Sequence, residues 1–273
     1  GFSGGAVLAW TMALKADWLA GVISVGGRPA PEHAALAPRC PLFAAAGDGD
    51  FNYLPTVRLD RIAAKAGVPH RLVFFPGPHA WFGKDLARDA VGWLEVLATR
   101  DGKAALPPER LEELRRAEVA SARALEGAGD LLAAGRRWRE IADAFRGLGE
   151  VDSFLRRAAE LEATPAARDA RKAGKAAEAL EERAGSRLAA AMRLLEEETP
   201  PPSPARLERT LELDQDLRTA AGGGATAAAA RRVLATVHVQ LGVYLVQDLF
   251  REKEWLRAAC ALSVAAEAAP RDP

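Results

Sequence analysis

The sequence begins with a serine that stands among glycines, in residues 1–5, Gly-Phe-Ser-Gly-Gly. This is the Gly-x-Ser-x-Gly pattern, in which a serine occupies a strained turn between a strand and a helix. Glycine is expected on both sides because a Cβ at either position would collide with the backbone of so tight a turn. The turn holds the serine Oγ above the sheet, beside the first N–H groups of the helix. Ser3 is therefore a candidate nucleophile.

The motif stands at the first residue, without an initiator methionine and without the strand that should lead into the turn. We therefore expect the chain to be a fragment of a longer protein, cut at its nucleophile, and to be inactive by itself. No signal peptide is visible, but the true N-terminus is expected to be absent, so the sequence carries no information about the compartment.

A serine nucleophile needs a base that accepts its proton and a carboxylate that orients this base. In a parallel sheet, both should come from loops after the carboxyl ends of strands. His79 is favoured as the base because it follows the predicted strand at residues 70–75. His70 begins that strand at the opposite edge, and His33 follows the first strand, too early in the chain. His238 lies in the helical half and is expected to be a core or surface histidine.

Two aspartates, Asp48 and Asp50, compete for the role of the acid in the loop after the middle strand. The order Ser, Asp, His along a chain is one known arrangement of this triad. The spacing between the three residues accommodates the expected helices and strands but no large inserted lid. The structural alternative is that Ser3 caps a helix and that the aspartates are turn residues.

The elements that position these residues alternate between helix and strand up to about residue 100. Helices are predicted at residues 4–16, 55–66 and 84–99, and strands at 20–25, 41–46 and 70–75. Nearly continuous apolar strands separated by helices indicate a parallel sheet that is buried on both faces. We therefore predict an α/β fold class for residues 1–100.

Residues 1–99 resemble the C-terminal half of an α/β-hydrolase, and they are most similar to the phospholipase/carboxylesterase and dienelactone-hydrolase branch. Three segments carry the resemblance: the serine turn, the Gly-x-x-Asp loop that ends at Asp50, and the Gly-x-His loop that ends at His79. The resemblance implies a triad of Ser3, Asp50 and His79. It also implies that Asp48 is a turn or hydrogen-bonding residue of its own loop.

The activity that the resemblance implies is hydrolysis of a small-molecule carboxylic ester through an acyl-enzyme, without a cofactor or a metal. The N–H of Gly4 would be one donor of the oxyanion hole. The family's other donor comes from a loop that this sequence lacks. A peptidase of the same fold is the alternative enzyme. Four aromatic residues flank the acid and the histidine, either as pocket lining or as core: Phe51, Tyr53, Trp81 and Phe82.

From residue 106 onward the strand signals end, and Ala, Arg, Glu and Leu recur at helical spacing. Helices are predicted at residues 107–134, 137–148, 151–163, 166–198, 204–221, 226–250 and 253–268. A proline-rich segment at 200–204 and a glycine run at 222–224 interrupt them. We therefore predict a second, all-α domain at residues 106–273.

The last helix pair resembles a tetratricopeptide repeat. The residues that fit its pattern are Leu241, Gly242, Ala258, Leu262, Ala265 and Pro270. The first helix is about one turn longer than in that family. A repeat-like tail implies a protein partner or self-association, and a packed helical appendage is the alternative. The rival function for the whole chain is therefore an interaction module on a degenerate hydrolase scaffold.

The formal net charge is zero, from 37 basic and 37 acidic residues. This balance provides no general attraction for nucleic acid, so no nucleic-acid partner is expected. No run of about 18 apolar residues is present, and no membrane span is predicted. The nearest such stretch, residues 233–247, contains His238 and Gln240. Cys40 and Cys260 lie far apart and are expected to be two buried thiols.

Overall fold

The computed structural model describes residues 1–27, 36 and 38–269. The first elements are α1 (Gly4–Lys15), β1 (Val22–Val25), β2 (Leu42–Gly47), α2 (Tyr53–Lys65), β3 (His70–Phe75) and α3 (Lys84–Arg100). Helices follow: α4 (Pro108–Gly127), α5 (Leu131–Ala144), α6 (Asp152–Glu162), α7 (Pro165–Glu197), α8 (Pro204–Leu211), α9 (Leu213–Ala220), α10 (Gly224–Val239), a π-helical segment (Gln240–Leu245), α11 (Val246–Arg251) and α12 (Trp255–Glu267). The predicted alternation of helix and strand, followed by helices alone, is confirmed.

The three strands form a parallel sheet in the order β1, β2, β3. Side chains of the middle strand alternate between two cores, as the pleat requires. Leu42 and Ala44 pack against α1 and α2, whereas Phe43 and Ala45 pack on the opposite face, with α3. Every residue of β2 is buried, so the middle strand is covered on both faces, as predicted, whereas four of the six residues of β3 are partly exposed.

The residues before the serine lie beside β1. Phe2 pairs in parallel with Val25, and the Ser3 N–H donates to the Val25 carbonyl at 2.9 Å. The Val25 N–H donates in turn to the carbonyl of Gly1, also at 2.9 Å. Residues 1–2 therefore pair in parallel with β1 and lead directly into Ser3.

The chain divides into two compact units. The first comprises Gly1–Ala46, Pro55–Phe75 and Trp81–Lys172, and the second comprises Gly47–Leu54, Pro76–Ala80 and Ala173–Pro273. This division falls elsewhere than the predicted boundary at residues 100–106. Helices α4 to α6 belong to the first unit because Trp138 and Ile141 share a core with Phe43 and Trp93. Helical periodicity shows that a face is apolar, but it does not show against which element that face packs.

The core of the second unit is built by the C-terminal part of α7 together with α8 to α12. The predicted helix at 204–221 is interrupted at Glu212, which has a left-handed backbone, and the predicted helix at 226–250 contains the π-helical segment. A Cβ on Gly242 would lie 2.9 Å from the Ala265 side chain, so this glycine permits close packing of α12. The tetratricopeptide-like pairing stays a prediction, and Pro270 lies outside the described residues.

Within the described residues, one helical stretch, Gly224–Arg251, is long and apolar enough to cross a membrane by length and composition. Its mean hydropathy reaches 1.4, and 39% of the most apolar window is buried inside the protein. A core helix meets the same criterion, and this stretch contributes Leu234, Val237 and Leu241 to the core of the second unit. The absence of a membrane span stays a prediction.

Cys40 and Cys260 are buried free thiols, as predicted. Cys40 packs with Trp10 and Leu42 in the first unit, whereas Cys260 lies in the helical core of the second. Burial raises the pKa of both thiols. Both therefore stay protonated near neutral pH and serve as small core residues.

A buried ion network ties β3 to helices α4 and α5. The fully buried Arg71 donates from Nη1 to Glu118 Oε1 at 2.6 Å, and its Nε lies 3.2 Å from Glu140 Oε2 in an ion pair without a hydrogen bond. Arg137 lies 3.4 Å from both carboxylates, and the Arg71 guanidinium covers the Trp93 ring. Burial disfavours the charge of Glu118, but the two arginines outweigh it and lower the pKa of this carboxyl. At Glu140 burial prevails and raises the pKa.

Replacing Arg71 by Met should lower the free energy of unfolding by about 3–5 kcal/mol, because the buried carboxylates of Glu118 and Glu140 then keep only Arg137 as a cation. Urea unfolding of the variant and the parent measures this loss. Arg88→Met is the matched control, since it removes an exposed ion pair with Asp85 and should cost less than about 1 kcal/mol. Equal losses in the two variants would show that the buried network is not a main contributor to stability.

Candidate active site

Ser3 connects residues 1–2 to α1, and its backbone is strained. Its φ of 51° and ψ of −120° lie outside the regions that L-residues ordinarily occupy. Glu212, with φ 55° and ψ 38°, lies by contrast in the common left-handed region. Strain of this kind costs about 1–3 kcal/mol per residue and is concentrated at functional sites.

The interpretation of Ser3 as an ordinary helix cap does not fit this geometry. A capping serine has an extended backbone, and its Oγ accepts an N–H from the first turn. The Ser3 side chain makes no such hydrogen bond, and the N–H groups of Gly5 and Ala6 donate instead to the carbonyls of Phe2 and Ser3, at 2.8 and 2.9 Å. As the first residue of α1, Gly4 has an N–H without an intrahelical acceptor, as an oxyanion-hole donor requires.

The steric reason for glycines around the serine holds on one side only. A Cβ on Gly1 would lie 2.1 Å from the Gly5 carbonyl oxygen, so this position requires glycine. A Cβ on Gly5 would meet nothing within 4 Å. The prediction that both glycines avoid a collision is therefore wrong for Gly5, because α1 leaves that side of the turn open.

In the second unit, the loops that follow β2 and β3 bring Asp50 and His79 together. His79 Nδ1 lies 3.0 Å from each carboxylate oxygen of Asp50, whose side chain is completely buried. An ionised carboxylate only accepts hydrogen bonds, so this contact assigns the proton to Nδ1. In the neutral imidazole, Nε2 is then free of a proton, which is the state that a general base needs.

Hydrogen bonds fix the acid loop, residues 48–52, and the histidine loop, residues 76–79. Asp50 Oδ1 also accepts the Asn52 N–H at 2.7 Å, which shapes the acid loop as a turn. The Gly49 N–H donates to the Gly77 carbonyl at 3.0 Å, and the Gly77 N–H donates to Asp48 Oδ1 at 3.0 Å. Asp48 therefore holds the histidine loop by its backbone, whereas Asp50 contacts the imidazole.

The backbone geometry of these two loops explains why they contain glycine at positions 47 and 77. A Cβ on Gly47 would lie 2.3 Å from the carbonyl oxygens of Gly77 and Pro78, so only glycine lets the two backbones approach. Gly77 has a φ of 132°, which side chains disfavour. The Gly-x-x-Asp and Gly-x-His patterns thus describe two loops that pack backbone against backbone.

The four flanking aromatic residues have different places. The Phe51 ring lies 4.5 Å from the imidazole of His79, centroid to centroid. In the first unit, Phe82 is buried in the core, and the exposed Trp81 lies edge-on to Phe2 at 5.7 Å. The Tyr53 ring lies under the guanidinium of Arg232, a residue of α10. Phe51 is thus an aromatic residue in contact with the histidine.

Sequence reasoning missed Arg232 of α10, which holds the acid loop from the helical part of the second unit. It is 5% exposed, and its Nη1 donates to the Asp48 carbonyl at 3.0 Å. Its Nε and Nη2 donate to Glu181 at 3.1 and 2.5 Å, and its guanidinium lies 3.8 Å from the centroid of the Tyr53 ring. No local signal could have found it, because 184 positions separate Arg232 from Asp48.

The other histidines lie elsewhere. His70 begins β3 in the first unit, with Nδ1 at 2.7 Å from the Val68 carbonyl. His238 of α10 has Nδ1 at 2.8 Å from the Ala265 carbonyl, and its side chain is half-buried. His33 lies outside the described residues. Of the predicted triad, the structure brings Asp50 and His79 together in the second unit and places Ser3 on its strained turn in the first.

Within the part of the chain that the structure describes, no group of three or more His, Cys, Asp or Glu side chains could hold a metal ion. Comparisons with protein-family models, curated proteins and solved structures give no match for this chain. The α/β-hydrolase resemblance therefore depends on the residues quoted above and stays a prediction, as does the absence of a cofactor.

Proposed function

We propose that this chain carries the nucleophile, base and acid of a serine hydrolase that cleaves carboxylic esters. The observation that carries the proposal is the strained backbone of Ser3, which makes no capping hydrogen bond. A strained turn without a structural use for its side chain is consistent with a serine that is held for chemistry. The contact between Asp50 and His79 supports the proposal, because it prepares an imidazole to accept a proton.

The positions of the three proposed catalytic residues in the fold give the proposal a second support. Ser3 follows residues 1–2, which pair in parallel with β1, whereas Asp50 follows β2 and His79 follows β3. Loops at the carboxyl ends of neighbouring parallel strands generally share one edge of a sheet. The proposed reaction requires Nε2 of His79 to accept the proton of the Ser3 Oγ when the substrate is bound.

The proposed reaction has two steps. Ser3 Oγ attacks the ester carbonyl carbon while His79 accepts the hydroxyl proton, and the Gly4 N–H stabilises the negative oxygen. The carbon–oxygen bond to the alcohol then breaks, and His79 returns the proton to the departing alkoxide. Water then attacks the acyl carbon while His79 accepts a water proton. The bond between this carbon and Ser3 Oγ breaks, His79 returns the proton to Oγ, and the carboxylic acid leaves. Asp50 stabilises the imidazolium in both steps and keeps its proton on Nδ1.

A fluorophosphonate probe, which reacts with activated serines, tests this proposal in the full-length protein. The parent should be labelled and Ser3→Ala should not be labelled. Ser186→Ala is the matched control, since Ser186 is an exposed serine on α7, and its labelling should equal that of the parent. A folded parent that stays unlabelled would overturn the proposal and favour the interaction module as the function.

A further inference from the structure

The second unit contains a cavity of about 450 Å³ beside His79. One side is formed by the acid and histidine loops, through Phe51 and Pro78, and the other by α10, through Ala228, Ala235 and Val239. Cavities of about 300–1,000 Å³ are typical of small-molecule sites. The proposed base and the helical region therefore line one space.

Arg232 does not line this cavity, but its contacts hold two of the walls in place. The guanidinium hydrogen-bonds the Asp48 carbonyl, pairs with Glu181 of α7 and covers the Tyr53 ring. Because these partners belong to both the acid loop and the helices, one buried cation fixes α10 to the loop that carries the acid. A wall held in this way can select a substrate by its shape.

The lining favours an uncharged, apolar group. Its walls are small aliphatic residues, the Phe51 ring and the imidazoles of His79 and His238. Its two charged side chains, Asp48 and Arg231, are exposed and of opposite sign. Asp48 accepts the Gly77 N–H, and Arg231 donates to the Ala220 carbonyl, so each already has a partner in the protein. A charged substrate group would exchange water for an apolar wall without gaining a dedicated counter-ion.

The position of His79 indicates which half of an ester occupies the cavity. In the proposed reaction this histidine gives its proton to the alcohol oxygen, so the alcohol half leaves past the imidazole. A space lined by the imidazole is therefore adjacent to the leaving group.

We infer that this cavity binds the alcohol half of the ester as a compact, uncharged, apolar group, and that α10 sets the size it accepts. The inference rests on the proposed ester hydrolysis. It assigns the helical region a direct part in substrate selection, beyond the packing and partner roles expected from the sequence.

Two ester series test it in the full-length protein. One keeps the acyl group as acetyl and enlarges the alcohol from methyl to benzyl, and the other keeps the methyl alcohol and enlarges the acyl group. Ala235→Leu narrows the cavity, and its loss of kcat/KM should grow with the alcohol, reaching about tenfold or more for benzyl acetate. Ala225→Leu, at an exposed position of the same helix, is the matched control and should match the parent throughout.

A binding measurement keeps this inference separable from the proposed function. Benzyl alcohol should shift the imidazole C–H resonances of His79 and His238 in the NMR spectrum of the parent and of Ala225→Leu, but far less in Ala235→Leu. Absence of turnover in the parent would remove the proposed function alone. If Ala235→Leu is active and its kcat/KM does not fall as the alcohol grows, the inference is overturned while the hydrolase proposal stands. The same holds if its kcat/KM falls as the acyl group grows instead.

Discussion

Replacing Ser3 by Ala in the full-length protein should lower kcat for ester hydrolysis by about 10⁴-fold or more, while the fold persists. The substitution removes the Oγ that attacks the carbonyl and keeps the Cβ that shares the strain of the turn. The free energy of unfolding should therefore stay within about 1 kcal/mol of the parent, because the Ser3 side chain makes no capping hydrogen bond. Initial rates with an aryl acetate and thermal unfolding measure the two quantities.

Ser3→Gly separates the strain from the chemistry. Glycine adopts a positive φ readily, so this variant should be as inactive as Ser3→Ala but more stable than it by about 1 kcal/mol, after glycine's own entropic cost. Ser186→Ala should keep both the rate and the stability of the parent. Undiminished turnover in Ser3→Ala would remove Ser3 as the nucleophile, and equal stability of the Ala and Gly variants would show that the turn stores no strain.

The local elements could be predicted because the signals that define them are local. The helix after the serine, the strand at residues 70–75 and the helix from Lys84 lie where hydrophobic periodicity and flanking glycines or prolines place them. Glu212 shows the limit of this approach. It interrupts a continuous helical pattern through its left-handed backbone, and no glycine or proline marks the position.

The packing of the helices could not be predicted from periodicity. Helices α4 to α6 carry apolar faces that would suit a separate domain as well as the sheet. Their place in the first unit depends on partners far along the chain, such as Arg71 with Glu118 and Glu140. The cavity in the second unit could not be predicted for the same reason, because Phe51 and Ala235 come from segments that lie far apart in the sequence.

The residues alone limited the candidates for the triad acid to Asp48 and Asp50 but did not decide between them. Asp48 and Asp50 lie in one loop and both follow a strand, so position did not distinguish them. Backbone geometry does, because it directs Asp50 to the imidazole and Asp48 to the Gly77 N–H. The same geometry defines two distinct expectations for their replacement.

Asp50→Asn should lower kcat by up to about 10⁴-fold in the full-length protein. Asn presents an N–H group or a neutral carbonyl to His79, so it neither stabilises the imidazolium nor secures the proton on Nδ1. The fold should persist, since Asn is nearly the same size and its carbonyl can still accept the Asn52 N–H. The measurements are kcat with an ester substrate and the midpoint of thermal unfolding.

Asp48→Asn is the matched control, because it makes the same chemical change two residues away in the same loop. The carbonyl of Asn can keep the hydrogen bond from the Gly77 N–H, so turnover should stay within a few-fold of the parent. Asp48→Ala removes that acceptor and should cost about 1 kcal/mol of stability with a far smaller effect on kcat than Asp50→Asn. If Asp48→Asn abolishes turnover while Asp50→Asn merely lowers the thermal midpoint, the two roles are exchanged. The contact between Asp50 and His79 would then be structural, and the catalytic site would differ from the one proposed.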